Sequence, residues 1–213
     1  MSEFTGTRLR CTRGDRVVFE GLSFQLEDGG VVEPRGSNGS GKSSLLRMMA
    51  GLLPPADGTL AWNGAFIGGD MDAHRARINY VGHLDGVKGM LTVAENLEFW
   101  TAFRSGGNSD REHYAHALAA FKIANLAEVP ARYLSAGQRR RVALARLLVS
   151  SAPVWLLDEP ATALDADAQV ALDHAIAAHL GGGGMVVMAT HDPSQRPTPR
   201  LDMDQYARLA RAH

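Results

Sequence analysis

Gly36-Ser37-Asn38-Gly39-Ser40-Gly41-Lys42-Ser43 has the form Gly-x-x-x-x-Gly-Lys-Ser, the pattern of a loop that wraps phosphate. Its glycines let the backbone curl so that N–H groups turn inward toward phosphate oxygens. Lys42 is placed to reach the β- and γ-phosphates, and the Ser43 hydroxyl to ligate Mg²⁺. The loop should open a helix over residues 42–50 whose N-terminal partial charge adds positive potential. A strand must deliver such a loop, and Val31-Val32 begins one. Glu33-Pro34-Arg35 then stands where a central strand should be apolar, and proline cannot donate to a ladder. A shortened or bulged strand end is expected there, with Pro34 where its missing N–H is not needed.

A second chemical landmark lies downstream. Val154-Trp155-Leu156-Leu157 is an all-apolar run closed by Asp158-Glu159-Pro160, as expected of a buried parallel strand. Asp158 would sit at the carboxyl edge of the sheet, placed to hold Mg²⁺ directly or through water. Glu159 follows and should point elsewhere, since side chains alternate on an extended chain. A carboxylate beside the γ-phosphate can polarise an attacking water. Residues 185–189 form another apolar strand, ending at Thr190-His191-Asp192.

The segments between have their own signals. Residues 7–11 and 16–26 alternate and end in turn residues, which predicts an antiparallel β layer. Residues 59–62 and 78–81 predict short strands, and residues 72–76 a short helix. After a loop over residues 82–91, Thr92-Val93-Ala94-Glu95 is a capping box that opens a helix to about residue 103. A polar linker at residues 105–109 precedes a second helix over residues 110–124. Ser135-Ala136-Gly137-Gln138 is again Ser-x-x-Gln and caps a third helix to about residue 150. Residues 88–150 thus form a helical insert in an α/β chain. Residues 166–180 predict one more helix, and the tail, with Pro193, Pro197 and Pro199, an irregular segment plus an edge strand or short helix.

Composition bounds the function. The chain has 213 residues and a formal net charge of −1, so no global basic field points to nucleic acid. No apolar run approaches the ~18 residues of a membrane span, and Met1-Ser2-Glu3-Phe4-Thr5 lacks a basic-then-apolar signal pattern. Cys11 is the one cysteine, which excludes an internal disulfide and fits a reducing compartment.

Leu134-Ser135-Ala136-Gly137-Gln138-Arg139-Arg140-Arg141-Val142-Ala143-Leu144-Ala145-Arg146 resembles the signature segment of ABC-type ATPases, with Ala136 where that family usually has glycine. The phosphate loop, Asp158-Glu159-Pro160, Ala163-Leu164-Asp165 and His191 complete five elements in family order over nearly the whole chain. The resemblance implies a P-loop NTPase with a RecA-like parallel core, an antiparallel β layer and an inserted helical signature subdomain. The chain would form a single nucleotide-binding domain over residues 1–213.

The same resemblance implies a head-to-tail pair with two ATP molecules between the copies. Ser135, Gly137 and Gln138 of one copy would then face the γ-phosphate held by the loop of the other. The nucleotide-contacting set extends through Ser44. His191 would contact the γ-phosphate and orient the water, and Asp165 would touch the second copy. His83 takes the slot where the family has glutamine, and a neutral imidazole there can accept from metal-bound water or ligate Mg²⁺. Arg13 is the candidate to stack on adenine, with Phe19 as an alternative that also suits the core. Arg139-Arg140-Arg141 is expected to be a solvated helix face.

Leu9-x-Cys11-x-Arg13, Gly21-Leu22-Ser23-Phe24, Val81-Gly82-His83-x-Asp85-Gly86-x-Lys88 and Leu91-Thr92-Val93-Ala94-Glu95-Asn96-Leu97 are similar to the ATP-binding subunits of haem exporters in bacterial cytochrome c maturation. That similarity implies a peripheral ATPase on the cytoplasmic side of the inner membrane. It would bind separately encoded membrane subunits through residues 82–91, with Asp85, Val87, Lys88 and Met90 as contacts. Haem would be handled only indirectly, since no Cys-x-x-Cys-His pattern occurs. Another ABC exporter or importer ATPase is the nearest alternative. A soluble ABC protein of translation or repair, and an ATP-gated scaffold with little hydrolysis, are further ones.

Overall fold

The computed structural model describes residues 1–105, 111–190 and 199–210. In chain order the strands are β1 (Glu3–Arg13), β2 (Arg16–Glu27), β3 (Val31–Arg35), β4 (Asp57–Trp62), β5 (Ala65–Phe66), β6 (Ile78–Val81), β7 (Val154–Asp158), β8 (Met185–Ala189) and β9 (Arg200–Asp202). The helices are α1 (Lys42–Met49), α2 (Met71–Ala76), α3 (Val93–Ser105), α4 (Arg111–Ala120), α5 (Ala136–Ala145), α6 (Ala166–Gly181) and α7 (Met203–Leu209). The described residues form two compact units. One is built from residues 1–80, 153–159 and those from 179 onward, the other from residues 81–152 and 160–178.

The first unit holds two sheets. The antiparallel one has the order β2-β1-β4-β5, and the other β6-β7-β8-β3-β9. β1 begins at Glu3, four residues before the predicted start, because Phe4 and Gly6 already alternate into the core. Its inward face then changes parity to Leu9 and Cys11. The cause is a bulge: pairing jumps from Gly6↔Phe24 to Leu9↔Leu22, and Arg8 takes φ 49. The extra residue is absorbed by a local twist. Opposite the bulge, a Cβ on Gly58 would lie 2.5 Å from the Thr7 and Arg8 carbonyl oxygens, so only glycine fits.

β3 is not shortened at Glu33-Pro34-Arg35. It changes partner. Val31 and Val32 pair with β8, whereas Glu33, Pro34 and Arg35 pair with β9. The Glu33 amide donates to Pro199 O at 3.0 Å, so the nitrogen of Pro34 faces the opposite side, where the β8 ladder has already ended. The ring therefore costs no ladder bond. Glu33, only 1% exposed, is neutralised by Arg35, whose Nη2 and Nε donate to its Oε2 at 2.7 and 3.1 Å.

α1 shares one apolar core with both sheets: Leu45, Leu46, Met48 and Met49 meet Phe4, Leu9 and Phe19 on one side and Leu156 and Val187 on the other. β7 and β8 pair in parallel from Val154↔Met185 to Asp158↔Ala189. The carboxyl ends of β3, β7 and β8 therefore lie along one edge of the sheet.

The second unit is helical. Thr92 caps α3 as expected, with the Glu95 amide donating to Thr92 Oγ1 and Glu95 Oε2 accepting from the Thr92 amide. α4 is shorter than the predicted residues 110–124, because Lys122 adopts φ 55 just beyond its end, a left-handed stop. α5 ends at Ala145 rather than near residue 150. The amides of Leu147 and Leu148 bond three residues back, to Leu144 O and Ala145 O, a tightened last turn.

Candidate nucleotide site

In the first unit, the phosphate loop joins β3 to α1. Gly41 stands at the N-cap with φ 103 and supplies no side chain to the helix, so the first-turn amides are left for a ligand. A Cβ there would lie 2.7 Å from Phe19 Cδ1, which makes glycine necessary on steric as well as torsional grounds. Phe19 is fully buried in that contact, so it belongs to the core and not to an adenine platform.

Lys42 is 8% exposed. Its Nζ donates to Gly36 O at 2.6 Å and Ser37 O at 3.2 Å, which brings the ammonium back across its own loop. Ser37, Asn38 and Gly39 are exposed, Ser40 is buried with an amide that donates to Ser37 O, and Ser43 is exposed. Ser44 faces inward, 4% exposed, and accepts from Arg13 Nη2 at 3.2 Å. Arg13 is thereby tied to the first turn of α1 while remaining exposed. Burial pushes the nearby Cys11 thiol up, opposed by Ser44 and Arg13.

Asp158 ends β7 at 3% exposure. Glu159 departs from the expected extended geometry. Its φ is 49, and its amide donates to Ala189 O at 2.9 Å. The chain therefore turns through a left-handed residue at Glu159, and the strand does not continue past Asp158. The oxygen donors Ser43 and Asp158, both in this unit, suit a hard cation. The uncapped helix start and Lys42 suit a polyphosphate.

In the second unit, Ser135 caps α5 with φ −65 and ψ 165. Its Oγ accepts from the Gln138 amide at 3.2 Å, and Gln138 Oε1 accepts from the Ser135 amide at 2.8 Å. Ala136 is the first helical residue, which needs no positive φ and explains why a methyl is tolerated there. Gly137 packs on the next loop: a Cβ would be 3.0 Å from Ala163 O. Asp165 caps α6 by accepting from the Ala168 amide at 3.0 Å and pairs with Arg141. The Ala168 amide, joined by the Arg141 guanidinium, holds its carboxyl below the usual carboxylate range.

Arg139-Arg140-Arg141 is not a solvated face. Arg140 is 4% exposed and donates to Gly82 O at 2.9 Å, Asp85 Oδ1 at 3.1 Å and Pro160 O at 3.2 Å. Arg139 donates to Leu134 O, and Arg141 to Phe121 O. Nothing local marks these roles; the three-arginine run alone fits solvent equally well. His83 is exposed on the loop after β6. No group of three or more His, Cys, Asp or Glu suited to a metal occurs among the described residues. His191 lies outside the described residues.

A family profile described as ABC transporter matches residues 19–162. The chain is 50% identical to the cytochrome c biogenesis ATP-binding export protein CcmA of Paramagnetospirillum magneticum, over 97% of this chain and 96% of that one. It is 49% identical to the protein of the same name from Rhodospirillum rubrum, over 96% and 87%. A putative ABC transporter ATP-binding protein from Pyrococcus furiosus superposes with a TM-score of 0.84 at 24% identity, over 96% of this chain and 98% of that one. A dimeric ATP-binding cassette in a post-hydrolysis state, bound to ADP and Pi, superposes at 0.80 with 25% identity, over 89% and 88%. A phosphate loop at the head of α1, a carboxylate at the end of β7, a serine-capped α5 and these likenesses converge: the chain belongs to the ABC transporter ATP-binding family, among the cytochrome c biogenesis ATP-binding export proteins.

Proposed function

We propose that this chain is the ATP-hydrolysing subunit of an ABC exporter that serves cytochrome c biogenesis, working as a head-to-tail pair with ATP between two copies. The observation that carries the reading is the helix start at Gly41, left without a side-chain cap, with the Lys42 ammonium folded back onto the Gly36 carbonyl of the same loop. The whole chain acts as one nucleotide-binding domain, with residues 88–150 as its inserted helical subdomain.

In each copy residues 36–44 cradle the β- and γ-phosphates, through the Lys42 ammonium and the loop amides other than those of Ser37 and Ser40, which are engaged by Asp204 and by the Ser37 carbonyl. Lys42 exchanges its loop carbonyls for phosphate oxygens, so its charge is already in place when negative charge builds up. Ser43 and Asp158 would hold Mg²⁺, which neutralises phosphate charge when bound. Glu159 takes the proton of the attacking water. The water oxygen bonds to the γ-phosphorus as the bond to the β–γ bridging oxygen breaks, leaving ADP and phosphate. Ser135 Oγ–H and the Gly137 amide of the second copy donate to the γ-phosphate, Asp165 shapes the shared pocket, and His191 orients the water. His83 would accept from metal-bound water or ligate Mg²⁺, and Arg13 would stack on the base.

The partner surface assigned to residues 82–91 is apolar where it is most open. Leu84 is 85% and Met90 76% exposed, with Phe99 and Tyr133 also exposed in the same unit. Asp85 contributes less than the sequence indicates, because its carboxylate is committed to Arg140. Membrane subunits would dock there, and haem would be handled by those partners. No described helix is long and apolar enough to cross a membrane. The chain would act as a peripheral subunit on the cytoplasmic side of the inner membrane, where ATP is supplied.

Glu159→Gln should bind Mg-ATP without consuming it and accumulate as a pair in light scattering. A variant that stays monomeric at saturating Mg-ATP sinks the shared-pocket reading. Affinity purification of the chain from membranes should bring down integral membrane subunits; recovery with ribosomes or DNA instead would overturn the export role.

A further inference from the structure

β9 lies parallel to β3, pairing Glu33 with Arg200, Pro34 with Leu201 and Arg35 with Asp202. Two residues further along each chain stand Ser37 and Asp204, and they meet. The Asp204 carboxylate accepts from the Ser37 amide at 3.1 Å (Oδ1) and 3.0 Å (Oδ2), and its Oδ1 accepts from the Ser37 hydroxyl at 2.6 Å. The acid is itself held in place. Asp202 Oδ1 accepts from the Asp204 and Gln205 amides at 3.0 and 3.3 Å. Met203 is fully buried, its Cβ 3.1 Å from where a Cβ on Gly36 would stand.

A carboxylate that accepts from an amide and a hydroxyl of one residue fixes that residue's peptide plane, and charge-assisted bonds of this kind are roughly twice as strong as neutral ones. Ser37 is the second residue of the phosphate loop. Its peptide plane sets the direction from which the following amides converge. We infer that Asp204 is a positioning residue for nucleotide binding: it holds the first half of the phosphate loop in its binding shape, so that little ordering is left for the moment of binding. Ordering a loop on binding weakens affinity without removing any contact to the ligand. The inference rests on the reading of residues 36–43 as the phosphate cradle.

The test is calorimetric titration of the full chain with Mg-ADP, which is not consumed, for Asp204→Ala, Asp204→Asn, Ser37→Ala, the double variant Ser37→Ala with Asp204→Ala, and Lys42→Ala as control. Asp204→Ala should weaken binding about tenfold, the usual worth of a hydrogen bond to a charged group. Asp204→Asn should stay within about threefold of the parent, since a carboxamide oxygen still accepts from Ser37. Ser37→Ala removes the hydroxyl bond but keeps the amide bonds, so it should fall between the parent and Asp204→Ala, and the double variant should match Asp204→Ala alone, since both act through one contact. Unchanged binding in Asp204→Ala overturns the inference. So does an equal loss in the alanine and asparagine variants, which assigns the effect to lost charge or packing. If Lys42→Ala binds as well as the parent, the cradle reading falls and takes this one with it. If only Lys42→Ala loses affinity, the cradle stands and Asp204 has no such role.

Discussion

Glu159 occupies the left-handed region at φ 49, where a side chain costs roughly 1–2 kcal/mol. The Ala189 carbonyl holds its amide there, and strain kept at the end of a buried strand points to a functional demand. Glu159→Gly should therefore exceed Glu159→Ala in unfolding free energy by about 1 kcal/mol, while both lose turnover equally. Equal stabilities in urea denaturation would show that the backbone is not strained. Gly41 poses the reverse case. Alanine there must accommodate a Cβ 2.7 Å from Phe19 Cδ1 at φ 103, and overpacking of this kind costs about 1–3 kcal/mol. Gly41→Ala should lower the thermal midpoint, and Gly41→Ala with Phe19→Leu should recover part of the loss if the clash is the cause.

α5 tests whether a cap and a ligand contact can be separated. Ser135 serves its own helix through Gln138, and in the proposed pair it also serves the other copy's phosphate. Loss of the cap in Ser135→Ala should cost ~1 kcal/mol of stability. Aspartate caps as well as serine, so Ser135→Asp should melt like the parent. Its added negative charge would face the γ-phosphate, so ATP hydrolysis should fall by at least tenfold. Normal turnover in Ser135→Asp would remove this helix start from the catalytic pocket. The caps at Thr92 and Ser135 were legible in the sequence because their partners lie three residues away. So were the phosphate loop and the apolar run of β7. What was not legible depends on distant groups. Arg140 is buried because Gly82, Asp85 and Pro160 supply acceptors, and no local pattern shows that. Asp204 meets Ser37 across 167 positions. β3 survives Pro34 only because β9, a strand at the far end of the chain, takes over its pairing.

At the scale of the whole molecule, the pH dependence of folding near neutrality follows from two histidines, one buried and one half-buried. His74 is fully buried, with Nε2 2.8 Å from Met49 O and its ring 5.5 Å from that of Phe4. Burial lowers its pKa from 6.5, against the pull of the Met49 carbonyl and with help from Arg77 and Arg75. His179 stacks on Trp155 at 3.9 Å, and burial lowers it from 6.5 as well, opposed by its bonds to Met185 and Pro153. In the unfolded chain both titrate near 6.5. Between that value and the lower folded ones, the unfolded chain binds more protons, so stability rises with pH there. The contribution is complete above about pH 6.5 and is lost as pH falls through the folded values. Asp165, also lowered, acts in the same direction, but its contribution fades only below the unfolded carboxylate value near 3.8. Urea denaturation between pH 5 and 8 should therefore give a flat plateau at the alkaline end and a decline below about 6.5. His74→Gln combined with His179→Phe should lower the plateau, through lost packing, yet flatten the decline. A decline of unchanged slope in that double variant would show that the acid sensitivity arises elsewhere.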